Sequence, residues 1–418
     1  MKKESIFKKM TSLLLLVLLL AGTACSKSAA ADGDDLMKEI SPETVEVIDS
    51  YKEEDLLSAM NFSADLFKAN AGSENTLISP ISVLSALGMT ANGAENNTLS
   101  QMEDVFGLSR QQLNQLLELY IRTLPDEDKL KVSMANSIWF REGGRIEVER
   151  DFLQTNANYY DAGIYRAKFD QDTLTAINDW VEKETDGMIE DILDEIPDEA
   201  MMYLINALSF DAEWETIYNE NEVRKENFTR EDGSIQTPDM MFSTESLYID
   251  DDQAKGIIKN YAGGKYAFMA LLPDEGVSVS DYVSSLTGEK LHTLIKEAEN
   301  TSVFTMIPKF QSEYSVEMSE ILQGMGMTDA FDHKKADLTG LGTSPEGNLY
   351  ISRVIHKTAI EVDEKGTKAG AATVVEVVTE SAAPIETKEV LLDRPFFYMI
   401  IEKETGLPLF MGTLLSVE

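Results

Sequence analysis

The chain has 418 residues, 43% of them apolar, enough for a substantial core in one large domain or two to three smaller ones. Its formal net charge of −38 would repel a polyanionic backbone, so no nucleic-acid partner is expected. A single cysteine excludes an intrachain disulfide and leaves stability to packing.

Lys2, Lys3, Lys8 and Lys9 precede the apolar run Leu13–Ala21. That run is shorter than the roughly 20 residues a bilayer span needs and has the form of a signal peptide. Cys25 stands just behind it in LLLAGTACS, where bacterial lipoproteins carry their lipidated cysteine, although Gly22 replaces the usual aliphatic residue. We expect a lipoprotein-type signal over 1–24 and export, with Cys25 as the one membrane attachment, facing periplasm or exterior. Cleavage after Ala29-Ala30-Ala31, releasing a secreted protein, is the alternative. Residues 25–52 read as an acidic flexible tether. A folded domain is expected from residue 53, where Leu56, Leu57, Met60, Phe62, Leu66 and Phe67 recur at helical spacing.

Pro80–Ala91 reads as a helix, with Ser79 as N-cap and Pro80 at its first position. Ile177–Leu193 is amphipathic and interrupted by Gly187, and Met201–Phe210 suits a strand buried on both faces. Ala267–Pro273 and Val303–Pro308 read as short strands. Leu349–Glu364, Glu389–Glu402 and Leu409–Leu415 make the last third mostly β. Helices and strands without regular alternation predict a single α+β domain.

Signatures of catalysis are missing. His292, His333 and His356 are the only histidines, and no HExxH, CxxC, phosphate loop or GxSxG elbow occurs. Asp250-Asp251-Asp252 lacks the spaced ligands of a calcium loop and reads as a solvated acidic turn. No cofactor, no metal and no enzymatic activity are expected.

The stretch Glu361–Val378, EVDEKGTKAGAATVVEVV, stands out. It opens in a β-branched alternating run and continues without an evident element to Glu389–Leu392, and loops that long inside a domain are usually functional or disordered. Thr367, Ala369, Ala371, Thr373, Val375 and Val377 are uncharged and small or β-branched. Lys368, Glu376 and Glu380 fall on the other parity. Side chains alternate faces along a strand, so this loop could become one with a buriable face.

Asn75–Met102 (NTLISPISVLSALGMTANGAENNTLSQM) resembles the N-terminal signature of the serpins. Ala135–Trp139 (ANSIW), Ile177–Leu193, Leu204–Trp214 (LINALSFDAEW), Tyr350–Thr367 (YISRVIHKTAIEVDEKGT) and Arg394–Gly412 (RPFFYMIIEKETGLPLFMG) are similar to further serpin blocks, in the family's order. The resemblance implies one domain over 53–418, with a large central sheet, surrounding helices, further sheets and an exposed reactive-centre loop at about 365–388. It also implies a suicide-substrate protease inhibitor. A target protease cuts the loop, which then inserts into the sheet and traps the acylated enzyme. A non-inhibitory serpin acting as a binding module, and a hydrolase using Ser82 and His356, are the competing readings.

Carried over by that resemblance, Glu364 is the hinge glutamate, followed by Gly366 and Thr367 and by the small-residue hinge Ala369-Gly370-Ala371-Ala372. Lys368 departs from the glutamate often found there. Ser79, Ser82, Asn206 and His356 match the polar cluster beneath the sheet-opening point, and Trp214 matches the tryptophan at the sheet top. The family's cut, about sixteen residues beyond the hinge glutamate, gives Glu380–Ser381. Counting back from Pro395 gives Ala383–Pro384 instead, and Val378, Thr379 and Ala382 are the other nearby candidates. The expected partner is a serine or cysteine protease, glutamyl-specific or elastase- or subtilisin-like rather than trypsin-like, because no Lys or Arg lies between Lys368 and Lys388. A monomer is expected.

Overall fold

The structure, a computed structural model, describes residues 33–417 apart from 144–145, 199, 346 and 368–386. Its first part holds strand β1 (Gly33–Asp35), helix α1 (Glu53–Asn70), strand β2 (Thr76–Ile78), and helices α2 (Pro80–Ala91), α3 (Asn96–Phe106) and α4 (Arg110–Arg122). Strand β3 (Leu130–Arg141), helix α5 (Arg150–Tyr159), strand β4 (Gly163–Ala167), helix α6 (Gln171–Glu184) and strand β5 (Met202–Glu213) follow. The remainder is mostly strand. Its strands include β6 (Asp239–Asp251), β7 (Ala254–Asn260), β8 (Tyr266–Pro273), β9 (Glu299–Pro308), β10 (Phe310–Glu317), β11 (Arg353–Val362), β12 (Gly366–Thr367), β13 (Lys388–Leu391), β14 (Phe396–Glu402) and β15 (Pro408–Leu414), with short helices at Val279–Ser284, Gly288–Lys296 and Ser319–Met325 among them.

Two sheets carry these strands. The main sheet runs β1-β4-β3-β5-β12-β11-β10, and the second runs β13-β9-β6-β7-β8-β14-β15-β2. All of α2 is buried, consistent with a helix apolar all round that lies inside the core rather than on it. Strand β5 is covered on both faces, which accounts for its almost unbroken apolar run. Its Tyr203, Ile205 and Ala207 form a front cluster with Trp139, Ile355 and the α6 residues Ile177 and Val181. Leu204, Leu208, Phe210 and Ala212, of the other parity, belong to the principal core behind the sheet.

Four expectations need correction. Helix α6 covers Gln171–Glu184 instead of Ile177–Leu193. The Asp170 carboxylate accepts from the Thr173 N–H and starts it early, while Asp186 and Gly187 at φ 52° and 76° stop it. Ile192 and Leu193 nevertheless stay in the front cluster, because both of their N–H groups donate to Asn178 Oδ1 at 3.0 Å. Residues 33–52 are not a free tether. Strand β1 pairs with the edge strand β4, Leu36, Met37, Ile40 and Tyr51 pack on the core, and Arg122 donates to the Ile48 carbonyl. The apolar residues set among the acids, together with the open edge of β4, make docking favourable there. The β run at Glu389–Glu402 is two strands, β13 and β14. Asp251 is not a solvated turn residue, since it pairs with Lys290 at 2.7 Å and accepts from the Tyr282 hydroxyl at 2.8 Å.

Candidate functional site

Strands β5 and β11 are parallel neighbours, but their pairing runs only from Tyr203↔Arg353 to Asn206↔His356. Higher up, β12 lies between them, with Thr367 opposite both Ala212 and Val362. Ala212 and Val362 stand equally far along their strands from Asn206 and His356, so the slot between β5 and β11 keeps one register. Among the described residues no strand occupies the part of the slot between these two levels.

Thr367 therefore already sits in the sheet, fully buried, with its hydroxyl 2.6 Å from the Tyr261 hydroxyl. Burial raises the Tyr261 phenol, which stays protonated. Tyr261 stacks on Trp214 at 4.5 Å and 9°, and Trp214 is 2% exposed. Gly366 is required for this docking, because a Cβ there would fall 1.9 Å from the Ala212 carbonyl oxygen.

The turn entering β12 is held on several sides. Trp214 donates its Nε1–H to the Asp363 carbonyl at 2.8 Å and its N–H to the Lys365 carbonyl at 2.7 Å. The Tyr218 N–H donates to the Glu364 carbonyl at 2.8 Å. Lys309 pairs with the Glu364 carboxylate at 2.5 Å. Burial opposes charge on both partners, yet the contact outweighs it, raising the Lys309 ammonium and lowering the Glu364 carboxyl.

At the lower end of the slot, His356 is 2% exposed and its Nε2 accepts the Ser79 N–H at 3.0 Å. Burial drives the imidazole down to about 3, so it is neutral at ordinary pH. Ser79 caps α2 in backbone conformation only, without the side-chain hydrogen bond its N-cap position would favour. Asn206 donates to Asn136 Oδ1, and Asn136 donates to the Ser85 hydroxyl at 3.0 Å, so side chains tie β5 to β3 and α2. Thr358 donates to the Leu77 carbonyl at 2.8 Å. No hydrogen bond joins the Ser82 hydroxyl to His356 among the described residues, so no nucleophile–base pair is formed there.

The model of the family described as "Serpin (serine protease inhibitor)" matches residues 57–417. The chain belongs to the serpin family. An uncharacterized serpin-like protein of Thermococcus kodakarensis is 29% identical over 384 residues, 89% of this chain and 88% of its own. The crystal structure of tengpin, a thermophilic serpin, in the native state is 47% identical, with a TM-score of 0.89 over 92% of this chain and all of that one. Tengpin in the latent state superposes with a TM-score of 0.79 over 88% of this chain and 99% of that one, at the same identity.

In this serpin the structure gathers Ser79, Asn206 and His356 at one level of the slot, with Ser82 buried on α2 nearby. Glu364, Gly366, Thr367 and Trp214 meet at the other level. Ala369, Gly370, Ala371, Ala372, Val378, Thr379, Glu380, Ser381, Ala382 and Ala383 lie outside the described residues, as does Cys25. Asn136, although it stands in the ANSIW block, is not singled out by the sequence, nor are Thr358, Tyr261, Lys309 and Asp363. Parity along β11 could have exposed Thr358, a polar residue on the core-facing side, but nothing local marks Tyr261 or Lys309.

Proposed function

We propose that this serpin is an inhibitor that traps a target protease by inserting its cleaved loop between β5 and β11. The observation carrying this reading is β12, a stub of the inserting strand docked in the slot in a register that can simply continue. Continued downward, that register would set Ala369, Ala371, Thr373, Val375 and Val377 on the core side with Thr367, with Thr373 meeting Asn206 and His356. The core side would thus receive only small or β-branched side chains, which a close-packed interior tolerates. Lys368 would come to lie between Asp211 and Glu361, and Glu376 beside Arg353, so each front-face charge would find opposite charge across the strand.

The slot ends at Met202 and Arg353, the starts of β5 and β11. Glu380 would then emerge just past the lower edge of the sheet, carrying an acylated protease about 40 Å from the upper level at ~3.3 Å per residue. This supports Glu380–Ser381 as the scissile bond and a glutamyl-selective target, with elastase- or subtilisin-like enzymes favoured next. Export with a lipid anchor at Cys25 is part of the same proposal. It rests on the N-terminal sequence and is checked by mass spectrometry of the mature N-terminus.

The test is incubation of the domain with a glutamyl endopeptidase, an elastase, a subtilisin, a trypsin and a papain-like protease, with products read on denaturing gels. A stable high-mass adduct supports trapping. Cleavage without adduct across the panel, and without a gain in thermal stability, contradicts it.

A further inference from the structure

The turn that leads from β11 into β12 is closed by its own first residue. Asp363 Oδ1 accepts the Lys365 N–H at 2.8 Å and the Gly366 N–H at 3.1 Å, while the Asp363 N–H donates to the Gly366 carbonyl at 2.9 Å. One carboxylate oxygen thus bridges two successive amides of the turn, and charge-assisted bonds of this kind are stronger than neutral ones. The hinge carbonyls at 363, 364 and 365 are all turned outward to Trp214 and Tyr218. Nothing but the Asp363 side chain serves the amides at 365 and 366 among the described hydrogen bonds. Thr367 enters the slot directly after this turn, paired with Val362 just before it.

We propose that the Asp363 carboxylate is the positioning residue that latches the hinge, keeping β12 docked before cleavage and supplying the preformed hairpin turn from which insertion proceeds. The turn is the same whether the strand is two residues long or fully inserted, because the pairing Val362↔Thr367 is where an inserted hairpin would begin. A latched hinge starts insertion without first having to close the turn, and closing a loop is an entropic step. The consequence for trapping rests on the inhibitory reading above, whereas the latch itself does not.

The latch is tested by amide hydrogen exchange on the uncleaved full domain, without any protease. Asp363→Asn keeps an Oδ1 acceptor, Asp363→Ser keeps a weaker one and Asp363→Ala keeps none. Exchange in the peptide spanning residues 363–367 is expected to rise at least tenfold in the Ala variant, less in Ser, and least in Asn, whose neutral amide oxygen keeps both bonds in weaker form. Peptides from β8 should not change. A merely destabilised fold would raise exchange throughout. Equal exchange at 363–367 in the wild type and the Ala and Ser variants would overturn the latch. With a protease that forms an adduct, the number of inhibitor molecules consumed per protease trapped should at least double in Asp363→Ala and fall back toward the wild-type value in Asp363→Asn. If no protease is trapped by the wild type, the inhibitory reading fails while the exchange result still decides the latch.

Discussion

Replacing Thr367 with arginine sets two energies of known size against each other. The native side chain has no exposed surface and meets the Tyr261 hydroxyl at 2.6 Å, behind which Trp214 is stacked. A guanidinium carried into that position would lose its hydration with an aromatic wall around it, a penalty of several kcal/mol. The turn before β12, held by Asp363, Trp214 and Tyr218, can stay closed, whereas Thr367 itself is kept in the sheet by a few ladder hydrogen bonds and the Tyr261 contact, each worth about 1 kcal/mol net. The penalty exceeds what holds residue 367, so that residue should leave the sheet and the inserting strand should lose its first core-side side chain. If insertion then starts behind a barrier higher by ~3 kcal/mol, it slows roughly a hundredfold and deacylation overtakes it. The assay is titration of a trapped protease with wild type and Thr367→Arg, scoring adduct against cleaved inhibitor on gels. The expected result is normal loop cleavage with at least about ten inhibitor molecules consumed per adduct, against about one expected for the wild type. Adduct formation at unchanged stoichiometry would refute the reasoning, because a buried arginine would then have been accommodated.

Lys368→Glu should also raise the stoichiometry, since like charge would meet Asp211 and Glu361 across both neighbouring strands at about 0.2–1 kcal/mol per pair. The effect should shrink in high salt, and a salt-independent change would point to another cause. Lys309 and Glu364 are each about a third exposed, so a double-mutant cycle in urea should give a coupling of no more than about 1 kcal/mol. A markedly larger coupling would mean that the pair is shielded from solvent. His356 titrates at about 3 in the fold against 6.5 as a free side chain. Its neutral form therefore contributes stability in full above pH 6.5, and this is lost as pH falls toward 3, at up to ~1.4 kcal/mol per pH unit. His356→Gln should flatten that acid limb in denaturant melts, and an unchanged limb would assign it to other groups.

Much of the fold is legible in the sequence because burial patterns are local. The boundaries of α2 follow from Pro80 and an apolar run with no polar face, and β5 from an apolar run too continuous for a half-exposed strand. The end of α6 is not legible, because Ile189, Ile192 and Leu193 keep an apolar rhythm after the backbone has turned at Asp186 and Gly187. The docking of residues 33–52 is hidden because composition registers their acidity and not the four apolar side chains that dock them. Within the site, parity placed Thr367 on an inward face, but that the residue already lies between β5 and β11 depends on pairings between segments far apart in sequence. Tyr261 and Lys309 come from such distant strands, and no local pattern marks them.

Reaction of the domain with a glutamyl endopeptidase bears most closely on trapping by insertion, followed on denaturing gels, by intact mass of the released peptide, and by thermal melting of the product. Insertion predicts an adduct that survives denaturation, a released peptide beginning at Ser381, and a cleaved form that melts well above the intact protein. A released peptide with no adduct, from a cleaved form that melts where the intact protein does, would contradict it.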